Sequence, residues 1–447
     1  MSLEKKTQVI TRRTAMASGL AASSLLLTAN SGLGASETEN NREAKTMEPG
    51  PSLKDAWSAY NAAVESARLA MEATPRFKER TDHRATAYYS LAEAQSMAYG
   101  FALATRMDHP IINTRSWYHN SHTLGGTSAD LYHVSAAVDG RHSYRLFGRV
   151  GDLKVLVMQV FNTILGGAGQ KQVVNVDLAK MADASGNFEA ILSAEPRRGN
   201  WIPIDAKSDF NFLFIRRFFD DWYGDRGTLD IELLDGPIDN KDLDEAEITR
   251  RVLRAADVLT FLVERWNIGV YDIYLSRNNG KKNSVAVVPG SEIASDTAGS
   301  PSTVYTWGVF DIQEDEALII ESAVPQSVFW SLQVQDVWTK PINYLDHQSD
   351  INHKRAIIDS DGKFRAVICL KDPGVANWLD TDGHREGTIV GRAYHARVTP
   401  PTPMVKLTKF TDLKKHLPSG TKFLTREERR AALKLRRNGL LRIFGDI

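Results

Sequence analysis

The sequence contains one cysteine, Cys369, in the apolar run FRAVICL. That excludes an intramolecular disulfide, a cysteine-ligated zinc cluster and an iron–sulfur centre, and leaves Cys369 as a small core hydrophobe. Neither sign of charge is in excess: 55 Lys and Arg stand against 55 Asp and Glu. No global field therefore favours nucleic acid, an anionic membrane or a polyanionic substrate. The chain has no Walker loop, no dinucleotide-binding glycine fingerprint, no Gly-x-Ser-x-Gly elbow and no His-Glu-x-x-His helix. The common NTPase, Rossmann, α/β-hydrolase and zincin readings fall with them, although triads assembled from distant residues survive this test.

What is present begins with an export pattern. Arg12 and Arg13 precede a weakly apolar run, Ala15 to Ala29, that is too short to span a bilayer, and Leu33-Gly34-Ala35 offers a small-residue cleavage site. Residues 1–35 resemble a twin-arginine signal, with Ala15, Met16 and Ala17 where Phe, Leu and Lys are usual; a Sec signal or an uncleaved anchor is the alternative. A periplasmic or secreted protein is expected, with no integral membrane segment once the signal is removed. Loss of those residues removes four bases and one acid, leaving 51 against 54 and a mildly acidic chain.

The remaining length suits two or three domains with sizeable cores. Residues 36–51 are polar and end in Pro49-Gly50-Pro51, a linker pattern. Residues 52–129 carry two helical periodicities, one from a Ser52 cap to about Ala73 and one from about His83 to Arg106. From 130 to 240 the pattern changes to short apolar runs such as LYHVSAAV, KVLVMQVF and FNFLFIRRFF between Gly, Asp and Asn turns. That spacing predicts an antiparallel β-sandwich or an open barrel. Residues 241–300 hold the clearest helix, Asp242 to Ile268, followed by a loop-like stretch from Asn278 to Ser302. A second β region occupies 301–424, with a hairpin turn at Asp359-Ser360-Asp361-Gly362. Residues 425–447 form a basic helix expected to dock through Leu433, Leu440 and Phe444, with its charged face in solvent.

Chemistry concentrates between Trp330 and Arg392. In WSLQVQDVW, Trp330, Leu332, Val334, Asp336 and Trp338 share one face, and Ser331, Gln333 and Gln335 the other. Downstream, Asp372, Asp380, Asp382, His384, Arg385 and Glu386 surround Trp378 on a Gly- and Pro-rich loop. A carboxylate beside an imidazole is the minimum for proton transfer near neutrality. His384 with Asp380 or Asp336 is thus a candidate acid–base pair, Trp378 and Trp338 candidate stacking platforms, and Arg385 and Arg392 candidate anion stabilisers. The structural alternative is a long loop pinned by Asp–backbone bonds and an Arg–carboxylate pair, with Trp378 as its anchor. Asp336 is either a satisfied polar group at a sheet rim or an acid with a shifted pKa. Asp130 and Tyr132 read as pocket lining. His119, His122 and His133 could ligate zinc or copper, or could be ordinary hydrogen-bonded histidines.

Several blocks then carry a resemblance: FEAILSAEPRRGNWIPI (188–204), IRRFFDDW (215–222), DEALIIE (315–321), WSLQVQDVW, INYLDHQSDIN (342–352), IIDSDGKFRAVI and DPGVANWLDTDGHREGTIVGR (372–392). Over roughly 130–435 the chain resembles the bacterial domain-of-unknown-function family 1214, often joined to the related family 1254. At GGTSADLYHV only Asp130 and Tyr132 of the family's usual segment are kept. The resemblance implies a mainly β fold with flanking helices, a β-sandwich domain plus a jelly-roll-like domain, and no activity. The expected function is a cofactor-independent hydrolase or lyase acting on a small neutral, aromatic or glycosidic compound. The alternatives are a non-enzymatic periplasmic ligand-binding or envelope protein, and metal-dependent chemistry at the three histidines. A small molecule, not nucleic acid, is the expected partner, and a homo-oligomer is left open.

Overall fold

The structure is a computed structural model; it describes residues 50–112, 125–236, 244–293 and 298–444. Seventeen strands form four sheets, with helices alongside.

The first sandwich uses β1 (Leu131–Val138), β2 (Tyr144–Arg149), β3 (Val155–Phe161), β4 (Gln172–Asp177), β5 (Asn187–Ser193), β6 (Trp201–Pro203), β7 (Asn211–Phe218) and β8 (Thr228–Leu233). The sheets run β1-β7-β3-β4 and β6-β5-β2-β8. Between them lie Val134, Ala136, Leu156, Met158, Leu213 and Ile215 of one sheet and Leu146, Phe188, Ala190 and Ile231 of the other.

The second sandwich uses β9 (Ser284–Pro289), β10 (Thr303–Asp311), β11 (Glu316–Ala323), β12 (Phe329–Gln335), β13 (Asp350–Asn352), β14 (Lys363–Cys369), β15 (Trp378–Asp380), β16 (Glu386–Tyr394) and β17 (Met404–Lys409). Its sheets run β13-β12-β16-β10-β9 and β15-β14-β11-β17, and enclose Phe310, Leu318, Ile320, Trp330, Leu332, Val334, Ile368 and Ile389. The stretch expected as loop from Asn278 to Ser302 therefore contains β9. Its SVAVVP sequence pairs with β10 along the sheet edge, and the short run between Asn283 and Gly290 had too little periodicity to stand out. The predicted Asp359–Gly362 turn forms, with Gly362 at φ +78° and its N–H donating to the Asp359 carbonyl.

One sheet of each sandwich is covered on both faces. Every residue of β1, β7, β12 and β16 is buried, because their second faces meet each other and the helices. Leu131, Val157, Phe218, Phe329 and Tyr394 pack directly across this junction. The helices α1 (Leu53–Ala73), α2 (Pro75–Glu79), α3 (Arg84–Ala98), α4 (Glu245–Thr260) and α5 (Val270–Arg277) close it from one side. Asp244 caps α4 by accepting from the N–H groups of Ala246 and Glu247. The helix expected to end near Ile268 instead passes through π-helical turns at Phe261–Gly269 and continues as α5.

The C-terminal helix, Arg426–Phe444, starts at a capping box: Glu428 N–H donates to Thr425 Oγ1 and Thr425 N–H to Glu428 Oε2. Leu440 is buried as expected, and the side chain of Phe444 lies outside the described residues. The basic face is not wholly solvated. Arg429 and Arg436 are buried, Arg429 against the Val375 carbonyl and Arg436 against the Tyr344 carbonyl and Asp350.

Candidate functional site

The polar face of β12 explains where a site can form. Ser331, Gln333 and Gln335 alternate with the apolar residues of the second core, yet all three are buried against the first sandwich. Gln333 Nε2 donates to the Thr127 carbonyl at 2.8 Å, and its Oε1 accepts from Arg392 Nη1 at 2.6 Å. The Gln335 Oε1 accepts from Thr388, while its Nε2 is buried without a partner among the described residues. Leaving a buried donor unsatisfied costs about 1–3 kcal/mol.

That donor faces a chamber between β1/β7, β10/β12/β16 and the π-helical segment. Registry sets its walls. His133 of β1 lies directly opposite Arg216 of β7, and Tyr305 of β10 opposite Arg392 of β16. Trp307 and Tyr274 stack at 4.6 Å, and Trp266 adds a third aromatic surface. At the rim, Gly125 and Gly126 have φ of +82° and +75°. A methyl group on Gly125 would stand 2.4 Å from the Trp266 ring; one on Gly126 would meet Arg392 Nη2 at 3.2 Å and Gln335 Nε2 at 3.3 Å. Two donors therefore converge on the space that this glycine leaves open.

The chamber wall is also where the backbone is strained. Thr339 is buried at φ +61°, a conformation that β-branched residues avoid. Its hydroxyl donates to the Trp266 carbonyl at 3.1 Å, and Asn267 Nδ2 returns a bond to the Trp338 carbonyl at 2.7 Å. These bonds tie the turn after β12 to the π-helical segment, a distortion common at functional sites.

The electrostatics are one-sided. Arg216 is buried with its guanidinium on Gln159 Oε1 and the Ala298 carbonyl, and Arg392 on Gln333 Oε1 and the Gly126 carbonyl. All four partners are neutral, and no chamber residue among those described is Asp or Glu. His133 stacks on Phe214 with ring centroids 4.9 Å apart. Burial first, and then the two guanidinium charges, hold its pKa well below the ordinary histidine value. A neutral His133 beside two arginines is a poor setting for a metal cation. His119 and His122 lie outside the described residues, and among the described residues no three His, Cys, Asp or Glu are grouped to hold a metal.

The loop expected to carry catalysis is arranged differently. Asp380 does not meet His384: its Oδ2 lies 2.8 Å from Nδ1 of His347, whose Nε2 is 3.3 Å from Asp382. The Asp380 hydrogen bond raises the His347 pKa. His384 is half-buried and acts on Asp336 only as a nearby charge. Asp336 is a satisfied turn residue, accepting from the N–H groups of Trp338 and Lys340, with a carboxyl raised by burial. Trp338 is fully buried, its Nε1 donating to the His83 carbonyl and the Arg76 guanidinium 4.7 Å from its ring. Trp378 is buried beneath Arg429 and donates to the Cys369 carbonyl. Neither tryptophan lines the chamber. Both fill cores, which is the anchor reading. Arg385 holds Gln313.

Asp130 and Tyr132 face away from the chamber. Asp130 is fully buried, accepts from Trp222 Nε1 and pairs with Arg355 at 2.8 Å; burial pushes its carboxyl up. Tyr132 lies under Arg217. Of the residues singled out from sequence, His133 and Arg392 line the chamber among the described residues. Arg216, Gln335, Thr339, Gly125 and Gly126 were missed, although Arg216-Arg217 inside FNFLFIRRFF and the Gln alternation of SLQVQ were visible signals.

With this geometry in view, the comparisons address the fold. No curated protein matches the chain. A crystal structure of an uncharacterized protein from Burkholderia cenocepacia is 24% identical, with a TM-score of 0.71 over 80% of this chain and 97% of that one. One from Vibrio parahaemolyticus is 11% identical, with a TM-score of 0.43 over 78% of this chain and all of that one. Residues 286–358, from β9 to the strand-like turn before β14, match the family described as "Protein of unknown function (DUF1254)".

Proposed function

We propose that this protein is an exported ligand-binding protein whose small-molecule ligand occupies the chamber between the two sandwiches. The observation that carries the reading is the buried Gln335 Nε2, without a partner among the described residues, beside the space left by Gly126 and near the strained Thr339. Sites that bind small molecules combine an apolar enclosure with a few convergent polar groups, and they favour domain junctions. Trp266, Tyr274 and Trp307 supply the enclosure here.

Binding is preferred to hydrolysis or elimination because His384 and Asp380 are not paired with each other, and the pair that Asp380 does form, with His347, stands outside the chamber. The Arg12-Arg13 pattern supports a periplasmic location. The blocks IIDSDGKFRAVI and DPGVANWLDTDGHREGTIVGR, which run past the family match ending at 358, support assigning the later part of the chain to family 1214.

The test is ligand-observed NMR of the chain lacking residues 1–35 against small aromatic and aliphatic compounds, with Trp307→Ala and Trp378→Ala variants checked for folding. Binding lost in Trp307→Ala and kept in Trp378→Ala is expected. The opposite pattern would move the site to the loop, and turnover abolished by His384→Ala would restore the enzyme reading.

A further inference from the structure

We propose that the chamber selects a monocarboxylate with an apolar, preferably aromatic, body, held between Arg216 and Arg392. This rests on the reading of the chamber as a ligand site and names the class of ligand it takes. The argument begins with charge. Two guanidiniums, of residues 4% and 8% exposed, are enclosed on facing sheets with only amide and carbonyl oxygens as partners among the described residues. Among the other buried arginines, Arg76, Arg365, Arg429 and Arg436 each meet a carboxylate, whereas Arg217, outside the chamber, holds the Arg226 carbonyl. An enclosed cation without a counter-charge costs several kcal/mol even after relaxation. Since no described residue supplies a carboxylate to either guanidinium, a ligand that brings an anion recovers part of that cost on binding.

Chemistry narrows the anion. A guanidinium presents its N–H groups as a planar fork that suits the two oxygens of a carboxylate. Gln335 Nε2 adds a neutral donor within reach of the same space beside Gly126 and Arg392. Beyond these donors, the walls are Trp266, Val270, Ile273, Tyr274 and Trp307. They suit a ring or short hydrocarbon body and offer few partners for the hydroxyls of a sugar phosphate or nucleotide, which would be desolvated without recompense. The stacked Trp307–Tyr274 pair favours a flat body.

The experiment is calorimetric titration of the chain lacking residues 1–35 with benzoate, phenylacetate and hexanoate, each beside its neutral amide, at fixed ionic strength. The acids are expected to bind at least about tenfold more tightly than the amides, equivalent to about 1.4 kcal/mol. Arg216→Met and Arg392→Met should each erase that preference while leaving amide binding in place. Arg216→Lys and Arg392→Lys, which keep the charge and lose the fork, should retain part of it, and they serve if a Met variant fails to fold. Acids and amides that bind equally, with both losing affinity in Trp307→Ala, would overturn the carboxylate assignment and leave the ligand site standing. If no acid or amide binds, and the neutral compounds of the wider screen are equally indifferent to Trp307→Ala, both inferences fall.

Discussion

The chamber face of β12 and the loop from 372 to 386 are both rich in polar side chains, but they use them in opposite ways. In the loop the groups that carried the expected chemistry are spent locally, Asp380 on His347, Asp372 on Arg429, Arg385 on Gln313 and Trp378 Nε1 on the Cys369 carbonyl, and only the Thr381 hydroxyl and Arg385 Nε are buried without a partner among the described residues. At the chamber, among the described residues, Gln335 Nε2 is unused and two arginines have only neutral partners. The difference teaches that density of reactive residue types is a weak guide to a site. A buried group left without its natural partner is a stronger one, since folding tolerates that cost only where something else compensates.

The comparison can be broken most forcefully at Trp338, a core tryptophan that the sequence offers as a stacking platform. Trp338→Ala should destabilise by about 3–5 kcal/mol through loss of a fully buried ring, measured by urea unfolding. A loss below about 1 kcal/mol would show that Trp338 is not a core residue. At the chamber rim, Gly125→Ala sets a Cβ against Trp266 at φ +82° and should cost about 1–3 kcal/mol. Gly383→Ala in the loop, also at positive φ but with open space around it, should cost less, about 1 kcal/mol. The two midpoints from parallel denaturation curves decide this.

Arg216→Met sharpens the contrast from the other side. Removing a buried charge that has no carboxylate partner should leave stability within about 1 kcal/mol of wild type or raise it. Arg436→Met, which strips Asp350 of a buried partner, should cost about 3–5 kcal/mol. Similar losses for both would mean that Arg216 already has a compensating anion.

The smallest effect concerns pH. Because Asp380 raises the folded-state pKa of His347, the pair contributes its full stability below the ordinary histidine value of 6.5 and loses it as pH rises through the folded value. The pair is part-exposed, so the contribution should stay below about 1 kcal/mol. Wild type should gain slightly more than Asp380→Asn in melting temperature between pH 8 and pH 5.5; equal gains would remove the pair from the account.

Much of the fold was legible in the sequence because it depends on local periodicity. Short apolar runs between turn formers marked β1, β3, β7 and β14, and alternation marked β12; Ser52, the acids from Asp242 onward and Thr425 marked helix starts, the second cap proving to be Asp244; Asp359 to Gly362 marked a turn. The edge strand β9 was not legible, since six residues within a polar stretch supply little pattern. Less of the site was legible. His384 was the nearest imidazole to Asp380 along the chain, yet His347, 33 residues away, is its partner in space. Likewise, Ser331, Gln333 and Gln335 read as the polar face of a strand, and the first sandwich buries them.

The sequence by itself determined the mainly β class with flanking helices, the lack of disulfides and cysteine clusters, and the caps and turns, because these follow from composition and from neighbours a few residues apart. Only the tertiary structure decided that β12 is covered on both faces, that His133 and Arg216 of one sandwich confront Arg392 of the other, and that no carboxylate among the described residues joins them. Such contacts join residues up to about 260 positions apart, and which polar groups are left without partners is fixed only when the two sheets close on each other.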